Sequence, residues 1–172
     1  YPPHFRAGAM LKMLGYYERT KDQDFAKKYI FTGDAFWVDL IKGYELEEAM
    51  RRAYEWATQY EDMAFPRYEI ARWYAGQLFQ DKHGNGKLLN DEQRRSYLEQ
   101  IEANVKEGDV WLPDALGVTF IEEWEKALIV GSRASIYGLV YMVNDQEAYK
   151  ETADKSFKQA LALVEQTTNS GY

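Results

Sequence analysis

The sequence predicts an all-α protein. Apolar side chains recur at helical spacing along most of its 172 residues, beginning with Met10, Leu11, Leu14 and Tyr17. No stretch alternates strictly between apolar and polar residues inside hairpin turn signals, and the chain holds only four prolines. We therefore expect about seven helices in antiparallel hairpins, arranged as a bundle or a short solenoid.

The first three predicted helices fill the N-terminal third of the chain. The first ends near Thr20, and Asp22 caps a second that carries Phe25, Tyr29 and Ile30. The pattern resumes over 36–41 after a break at Gly33, and it stops at Gly43. The third helix runs roughly from Leu46 to Tyr60, with its apolar residues on one face.

Four further helices are predicted after a restart at Phe65 and Pro66. The fourth reaches about Phe79, and a turn follows from Asp81 to Asn90. The fifth opens at Asp91 and closes at Gly108 as a C-terminal glycine cap, which leaves 109–118, with Pro113, as an irregular apolar segment. Thr119 and Glu122 form a capping box for a sixth helix to about Val143. The seventh spans Ala148 to about Gln166, before a loose tail over 167–172.

The composition of the chain limits the classes of function that we expect. The formal net charge is −7, so a nucleic-acid partner is not expected. Hydrophobic residues make up 46% of the chain, enough for one domain over 1–172. The apolar run from Ala127 to Val143 is interrupted by Arg133 and is shorter than the roughly 20 residues of a membrane span, so no transmembrane segment is expected. The chain begins at Tyr1 rather than Met, which indicates a trimmed chain or an exported one, periplasmic or extracellular, that has lost a leader.

The last predicted hairpin has small and aromatic residues at a recognisable spacing. Gly138 and Tyr141 lie on its first helix, and Ala153, Phe157 and Ala160 lie on its second. In this pattern the hairpin resembles a tetratricopeptide repeat. The resemblance implies a groove that holds a peptide or another protein. Independently of it, Ala127, Gly131 and Ser135 form a stripe of small residues that predicts close helix packing.

The turn after the fourth helix carries a spacing of oxygen-bearing residues that resembles an EF-hand loop. Gly86 stands where that loop turns sharply, and the ligand positions hold Asp81, His83, Asn85, the Lys87 carbonyl and Glu92. Imidazole is a poor ligand for calcium, so the resemblance implies at most a weak, structural calcium site. The alternative is a glycine-rich turn in which Asp81 and Asp91 cap helices. The cofactor expectation is accordingly none, or calcium.

No catalytic motif is found, so we do not expect an enzyme. The chain has no cysteine and only two histidines, and it lacks metal-protease, nucleophile-elbow and phosphate-loop motifs. Arg133 lies among apolar residues on its helix, which predicts an anion partner: either an internal carboxylate or a ligand held beside Tyr137 and Trp111. The sequence thus predicts an interaction domain for a protein or peptide. The alternative is a small-ligand protein that binds an anionic solute or glycan around Arg133.

Overall fold

The computed structural model describes residues 3–30, 43–118 and 122–169. These residues form seven α-helices and no strand, which confirms the predicted all-α fold. The helices are α1 (Pro3–Thr20), α2 (Gln23–Phe25, continued by a π-helical turn, Ala26–Ile30), α3 (Leu46–Thr58), α4 (Ala64–His83), α5 (Asp91–Gly117), α6 (Glu123–Asn144) and α7 (Glu147–Asn169).

The chain divides into two compact units, Tyr1–Asp62 and Met63–Tyr172. Whether they make the single domain expected over 1–172 stays a prediction. In the first unit α1 packs on α3 and on the π-helical turn. Asp22 caps α2 as predicted, because its Oδ1 accepts a hydrogen bond from the Phe25 amide at 3.0 Å. The predicted break at Gly33 and the apolar pattern over 36–41 lie outside the described residues.

The second unit is built around α4, which packs on α5 and on α6, while α6 pairs with α7 in an antiparallel hairpin. A polar contact lies between α4 and α6, where the Ser132 hydroxyl donates to the buried Glu69 carboxylate at 2.7 Å. The apolar core around it is contributed mainly by Tyr68, Ile70, Ala71, Ala75, Leu78, Val130, Ala134, Ile136 and Val140.

The predicted end of the fifth helix at Gly108 is wrong. Helix α5 continues to Gly117, through Pro113, whose missing N–H removes one backbone hydrogen bond. Gly108 is buried, and a Cβ built on it would lie 2.5 Å from Cε1 of Tyr68. The glycine at 108 therefore permits a close approach of α4 to α5 and does not end the helix. Residues 109–117 of the segment expected to be irregular are helical.

The stripe of small residues on α6 also differs from its prediction. Ala127 is buried. At Gly131, however, a Cβ would meet no side chain and no neighbouring helix within 4 Å. The buried face of α6 is centred instead on Val130, Ala134 and Ile136. Glu122 is the N-cap residue of α6 but makes no side-chain capping bond, and its predicted partner Thr119 lies outside the described residues.

Helix α6 is long and apolar enough to cross a membrane by length and composition, a test that the core helix of a soluble protein also passes. The expected absence of a transmembrane segment therefore stays a prediction. Helix α7 extends to Asn169, beyond its predicted end, so the helix includes the first residues of the segment expected to be a loose tail.

The packing at Gly108 can be tested against a second helical glycine. We expect Gly108→Ala to lower the free energy of unfolding by about 1–3 kcal/mol, because the new methyl group meets the buried Tyr68 ring. Gly131→Ala should instead raise it by about 0.5–1 kcal/mol, since alanine favours the helix and space is open there. Urea unfolding of both variants measures this. Equal stabilisation by the two would contradict the close approach.

Candidate functional site

One carboxylate joins three helices of the second unit. Asp109 on α5 accepts two parallel hydrogen bonds from Arg133 on α6, from Nε to Oδ1 at 2.8 Å and from Nη2 to Oδ2 at 3.0 Å. The Tyr68 hydroxyl on α4 donates to the same Oδ1 at 2.6 Å. Arg133 Nη1 also donates to the Ser156 hydroxyl on α7 at 2.9 Å. We call Tyr68, Asp109, Arg133 and Ser156 the four-helix cluster.

Two members of the cluster, Tyr68 and Arg133, have raised pKa values. Burial, together with the hydrogen bond to Asp109, raises the pKa of Tyr68 well above its usual range, so its hydroxyl stays a donor. The hydrogen bonds to Asp109 raise the pKa of Arg133, which remains a cation. The guanidinium also lies over the ring of Tyr137, 5.0 Å from its centroid. The cluster is thus a satisfied polar network.

Of the three residues that the sequence grouped as a binding site, the structure brings Arg133 and Tyr137 together. Arg133 is engaged by Asp109 and Ser156, which is the internal ion pair that the sequence left open as an alternative. Tyr137 lies beside it and lines a groove. Trp111 is 36% exposed on the continuous helix α5, and it does not line that groove. A role of Trp111 in binding stays a prediction.

A groove of about 390 Å³ lies next to the four-helix cluster. Its floor is apolar and buried, formed by Ile101, Val105 and Val140. The α5 wall adds Leu98, Glu102, Lys106 and Asp109, and the opposite wall adds Tyr137 from α6 and Tyr149 from α7, whose ring centroids are 6.0 Å apart. No motif in the sequence marks these residues, since apolar positions at helical spacing are equally typical of a packed core.

The loop predicted to resemble an EF-hand overlaps the ends of two helices, so that only residues 84–90 lie between α4 and α5. Asp81 lies in the last turn of α4, which ends at His83, and Gly84 takes a left-handed backbone (φ 69°) as its C-cap. The Asp81 carboxylate is bound by Arg94, from Nε to Oδ2 at 2.8 Å, and by the Leu89 amide at 2.9 Å. These contacts lower the pKa of Asp81, the side-chain hydrogen bond from Arg94 most of all.

The other residues of the predicted calcium site do not converge on Asp81. The His83 ring packs on Phe79 at a centroid distance of 4.3 Å, and Asn85, Lys87 and Glu92 are exposed. Over 3–30, 43–118 and 122–169, no three His, Asp or Glu side chains are grouped to hold a metal ion. Asn90 rather than Asp91 caps α5, in a capping box with Gln93. Calcium binding stays a prediction, while the contacts present are those of a structural turn.

Two variants distinguish the structural turn from a calcium loop. We expect Asp81→Asn to lower the melting temperature equally in calcium and in chelator, and Glu92→Ala to change it little in either. Because its folded pKa is lowered, Asp81 contributes stability above its unfolded pKa and loses it as the pH falls through the folded value. Wild type and Asp81→Asn should therefore converge in acid. A calcium-dependent shift that Glu92→Ala abolishes would instead support the calcium loop.

Comparisons of the chain with protein-family models, curated proteins and solved structures find no significant match. The four-helix cluster and the adjacent groove are therefore the observations from which a function can be argued.

Proposed function

We propose that this chain is a helical interaction domain that binds a peptide segment of a protein partner in the groove between α5, α6 and α7. The observation that carries the proposal is the make-up of the groove. It has a buried apolar floor, two tyrosines on one wall and charged residues on the other. Apolar anchors with a polar rim are typical of protein interfaces, where tyrosine is enriched.

The length of the groove favours a peptide. Its α5 wall follows one helical face from Leu98 to Asp109, which corresponds to about 16 Å at 1.5 Å per residue. Three turns of a helix or five residues of extended chain would cover this distance. An amphipathic segment can bury its apolar side chains against Ile101, Val105 and Val140 while its backbone stays near the rim.

The tetratricopeptide resemblance supports the same proposal. Helices α6 and α7 form an antiparallel hairpin, and Ala153 is buried as the pattern expects of a small residue between them. Phe157, which also belongs to the pattern, is 47% exposed. Membership of that family is part of the proposal, and the groove argument does not depend on it.

A small-ligand function is the second candidate. The groove volume of about 390 Å³ falls within the usual range of small-molecule pockets, about 300–1,000 Å³. An anionic ligand is disfavoured at Arg133, because Asp109 already binds that guanidinium in a bidentate pair. A ligand of this class would have to use the tyrosines and the apolar floor instead.

Peptide selection tests the proposal. A displayed library of random peptides is selected on the wild-type chain, and the affinity of the enriched peptides is then measured for two variants. We expect Tyr149→Ala to weaken binding about tenfold, because an aromatic anchor in the groove is lost. Trp111→Ala removes an aromatic residue outside the groove and should change binding less than twofold.

Both variants must keep the wild-type circular dichroism spectrum and melting temperature for the comparison to hold. If the peptides lost affinity for Trp111→Ala but not for Tyr149→Ala, the binding site would lie outside the groove. Failure to enrich any peptide, together with tight binding of a small molecule that Tyr149→Ala weakens, would favour the second candidate.

A further inference from the structure

Two charged residues of the groove have no ionic partner. Glu102 and Lys106 are exposed on α5, and neither makes an ion pair with any residue of the described chain. Asp109, the other charged residue of the lining, is instead engaged by Arg133. Within the groove lining, Glu102 and Lys106 therefore remain available to a ligand.

The two charges stand at a fixed spacing on one wall. They are one helical turn apart on the same face of α5, about 6 Å along its axis. The opposite wall, formed by Tyr137 and Tyr149, carries no charged side chain. Burial raises the pKa of Tyr137 on that wall; Arg133 opposes the rise, and Asp109, Tyr149 and Glu102 add smaller contributions to it.

From this spacing, and resting on the proposed peptide function, we infer that the groove selects an amphipathic peptide with one cationic and one anionic side chain about 6 Å apart. In a helical partner these are a Lys or Arg and an Asp or Glu four residues apart. The cation pairs with Glu102 and the anion with Lys106, while apolar residues of the peptide cover the floor. Charge complementarity of this kind sets specificity more than affinity.

Peptides with two like charges at this spacing should bind less well. A peptide with two cations at this spacing would bring one against Lys106, and one with two anions would bring one against Glu102. Like charges face each other in either case, and the second charge of the peptide gains no partner. Reversing one wall charge should therefore change which peptide is preferred rather than weaken binding in general.

Three probe peptides test this directly. Each is an amphipathic helix of about 15 residues, some four turns, with the same apolar face, and they differ only in the two flanking charges: Lys with Glu, Lys with Lys, and Glu with Glu. Binding is measured by fluorescence anisotropy. The wild-type chain should prefer the mixed peptide about two- to fivefold over either like-charged one.

The variants make the test specific to the two residues. Glu102→Lys should make the Glu/Glu peptide the best ligand, and Lys106→Glu should favour the Lys/Lys peptide. Glu107→Lys is the matched control, because Glu107 is exposed on the same helix but about 100° round it from Lys106, outside the groove. It should keep the wild-type order of affinities.

The outcomes separate this inference from the function on which it rests. Equal affinity of the wild type for all three peptides, or an order that neither charge reversal changes, would overturn the inference and leave a groove that binds peptides by apolar contacts alone. No binding of any probe peptide at millimolar concentration would count against the proposed function itself.

Discussion

The connection between α5 and α6 in the second unit depends on the carboxylate of Asp109. It accepts hydrogen bonds from α4 and α6, and Arg133 carries the connection on to Ser156 of α7. Helices α5 and α6 make few other contacts with each other. Helix α5 packs mainly on α4, and α6 packs mainly on α7 and α4. A bidentate pair of this kind fixes both distance and orientation, so it sets how far apart the two walls of the groove stand.

Two neighbouring residues on α5 therefore have opposite geometric effects. Gly108 lets α4 approach closely, since any side chain would meet the Tyr68 ring. Asp109 on α5 binds Arg133 on α6, so that the two helices are separated there by the length of two side chains. The space that results along α5 is lined by Ile101 and Val105 at its floor. The groove adjoins the second of these contacts, since Asp109 belongs to its lining.

Local features were predictable from the sequence, and long-range ones were not. The Asp22 cap and the apolar faces of the helices act within a few residues, so their signals are readable in order along the chain. Gly108 is ambiguous, because a helix end and a close helix contact both favour glycine, and only the position of Tyr68, forty residues earlier, decides between them. Arg133 was expected to need an anion, but Asp109 could not be singled out among 28 acidic residues.

The most direct test of this account is a double-mutant cycle between Asp109 and Arg133. The free energy of unfolding is measured for the wild type, Asp109→Ala, Arg133→Met and the double variant. If the pair holds α5 against α6, the two substitutions should be non-additive, with a coupling energy of roughly 1–2 kcal/mol. Strictly additive effects, with a coupling energy near zero, would contradict the central role of the pair.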